Sequence, residues 1–122
     1  MRDATLVTTP EQLDAAVFRM QGARRLAIDT EFLREKTYYP QLCLLQLATR
    51  DMNAIVDPIA IGDLTPLVPI LTDPAVVKVF HAGSQDREIL FQACGVAAAP
   101  VFDTQLAAAF QRRDQPRAAC RR

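Results

Sequence analysis

Apolar positions recur at helical spacing between Thr8 and Gly22, where Leu13, Ala16, Val17 and Met20 fall on one face. The ends of that segment are punctuated. Thr9 suits an N-cap, Pro10 the first turn, Gln12 the far corner of a capping box, and Gly22 a stop. A strand is expected from about Leu26 to Phe32. LCLLQLAT (42–49) and NAIVD (53–57) are short apolar runs bounded by turn residues and read as two more strands, joined by a turn at Arg50 to Asn53. Thr65 and Pro66 open a short helix with Leu67, Ile70 and Leu71 inward, and Asp73 and Pro74 stop it. AVVKVFHAG is a fourth strand. Ser84 is expected to cap the helix that follows, whose Ile89, Leu90 and Ala93 face inward and which Gly95 ends. PVFD is a last short strand leading into TQLAAAF, a helix start that the chain does not develop. This alternation predicts an α/β fold with a mixed sheet flanked by helices.

Composition narrows the class. With 122 residues, 50% hydrophobic and 23% charged, the chain has the make-up of one globular domain. Its cysteines, Cys43, Cys94 and Cys120, are odd in number and form no CxxC pair, so neither a disulfide framework nor a zinc site is indicated. Cys43 and Cys94 read as small core residues. No apolar run approaches the roughly 20 residues that cross a bilayer, and the N-terminus lacks a secretory pattern. A cytoplasmic protein without membrane contact is expected. The formal net charge is zero, yet residues 111–122 hold five arginines against one aspartate. The expected organisation is therefore a folded unit over 1–110 and an irregular basic tail over 111–122.

The informative segment is AIDTEFL. Side chains alternate along a strand, so Asp29 and Glu31 share a face at about 6 to 7 Å backbone separation. If both sit in the core, they repel by about 2 to 3 kcal/mol at an effective dielectric near 20, before any desolvation cost. A cation between them would relieve that. The plain alternative is a strand ending at Ile28, with both acids in solvent.

HAGSQDREIL is the second informative segment. It places Asp86 in the first turn of a helix, where the helix dipole alone would favour a carboxylate. In an α/β sheet, functional groups also collect at the carboxyl ends of neighbouring strands. If the two strands are neighbours, Asp86 faces the Asp29 and Glu31 pair. Three hard oxygen ligands would suit Mg²⁺ or Mn²⁺.

In this order and spacing, DTEFLREKTYYPQLCLLQLA, KVFHAGSQDREIL and FDTQLAAAF closely resemble the 3′-5′ exonuclease domain of ribonuclease D, of the DEDD exonuclease superfamily. The resemblance covers about residues 5–110. It implies a ribonuclease H-like fold and hydrolysis of phosphodiester bonds from the 3′ end of RNA, with two divalent metal ions and transfer RNA precursors as the substrate class. Carried over, Asp29 would bridge both metals, Glu31 would bind one and reach the terminal 3′ hydroxyl, and Asp86 would hold a metal or its water. Thr30, Phe32, Leu33 and His81 are the implied substrate-binding positions, with Phe32 and Leu33 against terminal bases. Ordinary packing for Phe32 and Leu33, and a local hydrogen bond for His81, are the competing readings. Tyr38 and Tyr39 are expected to shape a turn, and Asp103 to cap a helix.

The superfamily's third motif, a Tyr or His shortly before a fourth Asp, has no counterpart after Phe110, and Asp114 has the wrong neighbours. The sequence thus reads as a C-terminally truncated or frame-shifted copy, and an unfilled sheet face could pair two copies as a homodimer. Two other classes stay open: a non-catalytic nucleic-acid or protein interaction module that keeps this fold, and a hydrolase of small phosphoesters. The latter is disfavoured because DTEF lacks a DxDxT pattern.

Overall fold

The first helix forms as its punctuation dictates. The structure, a computed structural model, describes residues 3–33 and 40–113. In it Thr9 accepts from the Gln12 amide at 3.1 Å while the Gln12 side chain accepts from the Thr9 amide at 3.2 Å, a complete capping box for α1 (Pro10–Met20). Leu13, Ala16, Val17 and Met20 are buried, as the spacing requires.

The strands are β1 (Thr5–Val7), β2 (Arg25–Leu33), β3 (Gln41–Ala48), β4 (Asn53–Val56), β5 (Val77–Phe80) and β6 (Val101–Asp103). Between them lie α2 (Pro58–Ile61), a 3-10 turn at Thr65–Leu67 that runs into α3 (Val68–Thr72), and α4 (Ser84–Cys94). After β6, α5 (Thr104–Arg113) carries helix past Phe110. The six strands form one mixed sheet in the order β1-β4-β3-β2-β5-β6. β2, β3 and β4 are an antiparallel meander, while β1 joins β4 and β5 joins both β2 and β6 in parallel. This is the mixed α/β sheet that the apolar pattern implies. β1 and α2, at three and four residues, are too short for periodicity to reveal.

Leu26 and Ile28 of β2, Leu45 and Leu47 of β3, Val56 of β4 and Phe80 of β5 point into one core with α1, α3 and α4. The opposite residues of β2, namely Arg25, Ala27, Asp29, Glu31 and Leu33, are exposed. Two details differ from the sequence pattern. Ala93 of α4 faces solvent and Cys94 fills the core position instead; burial, with a smaller push from Asp63, raises the Cys94 thiol to about 11. Cys43 is only half-buried.

One charged side chain is wholly enclosed. Lys78 of β5 has no exposed surface, and its Nζ donates to the carbonyls of Asp73, Val76 and Ala99 at 2.7, 2.7 and 2.8 Å. Burial holds its pKa below the usual lysine value, with Asp73 partly opposing the shift. The ammonium ties the turn before β5 to the loop before β6.

Candidate active site

β2 continues to Leu33, so Asp29 and Glu31 belong to the strand and not to a loop beyond Ile28. They share one face, and it is the uncovered one: both acids are exposed, so the strand of the first reading is combined with the solvent placement of its alternative. Alternation fixes which residues lie together and says nothing of which face the helices cover. Asp29 stands opposite Gln46 of β3. Next to Glu31 the pairing slips, from Glu31 with Leu44 to Phe32 with Leu42, leaving Cys43 as an extra residue that bends the strands beside the acids.

β5 is the parallel neighbour of β2, as the second motif needed, with Ala27 opposite Val79. It ends at Phe80, level with the start of the acidic segment, and the chain turns through His81, Ala82 and Gly83 into α4. Ala82 is left-handed at φ +54°, and a Cβ on Gly83 would press into the Phe80 ring, with Cγ at 2.6 Å. Gly83 occupies the helix cap position and Ser84 is already helical, a one-residue shift from the sequence expectation that follows from this tight turn.

Asp86, in the first turn of α4, is partly buried and its carboxylate accepts a hydrogen bond from the Thr30 hydroxyl. Thr30 lies between Asp29 and Glu31 but points to the opposite, buried side of β2. The fold thus brings Asp86 within one side chain of the acidic pair without merging the three. Among the described residues, no three His, Cys, Asp or Glu side chains stand together as a metal cluster.

His81 is exposed, with Nδ1 at 2.8 Å from the Thr104 hydroxyl, which itself donates to the Phe80 carbonyl at 3.2 Å. With that hydroxyl proton used on Phe80, the Thr104 oxygen is left to accept from His81 Nδ1. The local hydrogen bond expected of a strand-end histidine is present. Phe32 packs against the core and Leu33 is 57% exposed. Ala27, Asp29, Gln46, Val79, His81 and Thr104 help to line a cleft of about 450 Å³ on the uncovered face. Tyr38 and Tyr39 lie outside the described residues.

Asp103 does more than cap. Its Oδ1 accepts from Gln105 at 2.9 Å and Leu106 at 3.4 Å, as a cap should, and also from Ala82 at 3.0 Å, while Oδ2 takes the Gly83 amide at 2.9 Å. The Gly83 bond leads in lowering its pKa below the ordinary value; desolvation, the next largest influence, opposes it, and the Ala82, Gln105 and Leu106 amides each add a smaller lowering. The FDTQ string announced a cap and gave no sign of the reach back to HAG.

The chain is a mixed α/β domain with paired acids on one face of β2, next to a helix-borne aspartate. Residues 4–116 match the family model described as a 3′-5′ exonuclease, and the chain belongs to that family. A ribonuclease D of Gluconacetobacter diazotrophicus is 51% identical over 107 residues, 87% of this chain and 27% of that protein. The crystal structure of Escherichia coli RNase D superposes with a TM-score of 0.86 at 39% identity, over 94% of this chain and 30% of that one. Trypanosoma brucei RNase D in complex with RNA U12 superposes at 0.75 and 25% identity, over 84% of this chain and 37% of that one. The chain therefore spans between 27% and 37% of the length of these ribonuclease D proteins.

Proposed function

We propose that this chain carries the acidic half of a ribonuclease D-type exonuclease that hydrolyses RNA from a free 3′ end, with transfer RNA precursors as the substrate class and the cytoplasm as its compartment. The observation that carries the reading is the placement of Asp29 and Glu31 on one face of β2, at the end of the parallel strand β5, with Asp86 bonded to the intervening Thr30. The resemblance to a ribonuclease D captured with RNA supports the substrate class.

The donor set fits a hard divalent cation in kind, since all three groups are carboxylates and the pair is open to solvent. Asp29 and Glu31 would hold Mg²⁺ or Mn²⁺, two ions in the full site, with Asp86 the third protein ligand. When bound, such ions activate water and neutralise the leaving oxygen. The chain's own residues do the rest. Glu31 accepts from the terminal 3′ hydroxyl, Leu33 and the edge of Phe32 meet the terminal bases, Thr30 fixes Asp86, and His81 presents Nε2 at the cleft. The functional unit runs from β1 through α5, past the boundary at 110 that the sequence suggested.

A second reading keeps the fold as an interaction module. It is favoured by the uncovered sheet face, where Leu6 and Phe102 are 62% and 48% exposed, and by Leu106 and Phe110 of α5. A homodimer through that face fits this second reading alone, because it would cover Asp29 and Glu31.

The test is single-turnover digestion of 5′-labelled RNA by this chain in excess, with Mn²⁺. Stepwise shortening of a 3′-hydroxyl RNA is expected, with a 3′-phosphorylated RNA resistant and Asp29→Asn inactive. Internal cuts in a circular RNA would overturn the exonuclease reading, and metal-independent RNA binding without products would favour the module.

A further inference from the structure

We propose that Asp103 is a positioning residue of the acidic site, acting through the Ala82 and Gly83 amides to set the turn that presents His81 and starts the helix bearing Asp86. The inference rests on reading Asp29, Glu31 and Asp86 as a metal site. Capping α5 needs only the bonds from Gln105 and Leu106. The carboxylate spends its remaining capacity elsewhere, on two amides twenty and twenty-one residues upstream.

Those amides belong to a turn with little freedom to find another acceptor. Ala82 is held at φ +54°, and Gly83 is pressed against the Phe80 ring. The first backbone bond of α4 runs from the Arg87 amide to the Gly83 carbonyl at 2.9 Å, so the orientation of Gly83 is passed directly to the turn that contains Asp86. Thr104 grips the other side of the same turn through His81 Nδ1 and the Phe80 carbonyl. β6 pairs with β5 with Asp103 opposite Phe80, which brings both gripping residues level with the turn. Nothing else in the described hydrogen bonds links α4's start to the sheet edge except Thr30 with Asp86. Asp103 and Thr30 therefore fix α4 from its two sides.

Two substitutions separate capping from positioning. Asp103→Ser keeps an oxygen for the Gln105 and Leu106 amides but cannot reach Ala82 and Gly83. Asp103→Asn keeps Oδ1 and loses only the acceptor for Gly83. Mn²⁺ affinity is measured by water-proton relaxation on the full chain, and amide exchange at Ala82, Gly83 and Arg87 by NMR, with Leu45 and Leu47 as core references. Asp103→Ser should weaken Mn²⁺ binding about 10-fold, as losing an outer partner of a metal site commonly does, and Asp103→Asn should do so by less. Exchange should rise at the turn and not at Leu45 or Leu47. Unchanged Mn²⁺ affinity in a folded Asp103→Ser chain overturns the proposal, as does a rise in exchange spread evenly over the core. If Asp103→Ser fails to fold, Asp103→Asn decides by the same comparison. If the unaltered chain binds no Mn²⁺, or Asp29→Asn binds it equally, the metal reading fails, and localised exchange at Arg87 alone then decides whether Asp103 positions α4.

Discussion

The hydroxyl of Thr30 donates to the carboxylate of Asp86, joining the middle of β2 to the first turn of α4 across 56 positions of sequence. Thr30 is one of only two buried polar or charged residues in the described chain, the other being Lys78. Thr30→Val keeps the volume and removes the donor. A hydrogen bond to a charged group contributes about 1.5 to 3 kcal/mol, so urea unfolding should show a loss of that order. Thr30→Ser should retain most of the stability. A valine variant as stable as the original would mean that the bond contributes nothing to holding α4.

Gly83 is constrained by its neighbour and not by its φ, which is −91°. An added Cβ would overlap the Phe80 side chain, with Cδ1 at 2.8 Å, and Phe80 is itself 1% exposed and cannot step aside. Gly83→Ala should cost about 1 to 3 kcal/mol through overpacking. The thermal midpoint should drop by about 5 °C or more, whereas Gly62→Ala meets no atom within 4 Å and carries only its positive-φ penalty.

What could be read from the sequence follows from how local each signal is. The capping box at Thr9 and Gln12 involves four consecutive residues and was legible, as was the common face of Asp29 and Glu31, set by a period of two. The neighbour relation of β2 and β5 was a condition that the sheet order meets. Which face of β2 the helices cover depends on packing that no window of sequence contains, so the sequence left core and solvent both open for the acids, and they lie in solvent on a strand that continues past them. The enclosure of Lys78 is equally hidden, because its acceptors come from Asp73, Val76 and Ala99, in two separate loops. Ala93 faces solvent and Cys94 the core, a difference of one position, or about 100° around the helix.

Lys78→Met should be destabilising despite its better hydropathy. The substitution fills similar space but leaves three carbonyls without the ammonium that satisfies them. An unsatisfied buried polar group costs about 1 to 3 kcal/mol, so a total loss of about 3 kcal/mol or more is expected in urea. Stability equal to the original would show that water replaces the ammonium at little cost.

Stability should also depend on pH through Asp103. Its folded pKa lies below the ordinary value of 3.8, chiefly through the Gly83 amide, so the folded state favours the carboxylate. The sign follows: the contribution is complete above pH 3.8 and disappears as pH falls through the lower folded value. Urea midpoints of the original chain and Asp103→Asn should differ near pH 6 and converge in strong acid. A gap that persists unchanged to the lowest pH at which the chain folds would assign the effect to something other than the charge.

Divalent metal should stabilise the fold through the pair on β2. Asp29 and Glu31 are held on one face in the folded chain and are independent in the unfolded one, so an ion that needs both binds only the former. Such binding adds about 2.7 kcal/mol at a free metal concentration one hundred times the dissociation constant. Mn²⁺ should therefore raise the thermal midpoint, and a chelator should reverse the rise. Asp29→Asn should abolish most of the shift because it removes one of two solvent-facing donors. Asp86→Asn should reduce it less, since the Thr30 hydroxyl rather than the open face holds that carboxylate. An equal Mn²⁺ shift in the original and in Asp29→Asn would put the ion elsewhere, and with it any chemistry assigned to this face.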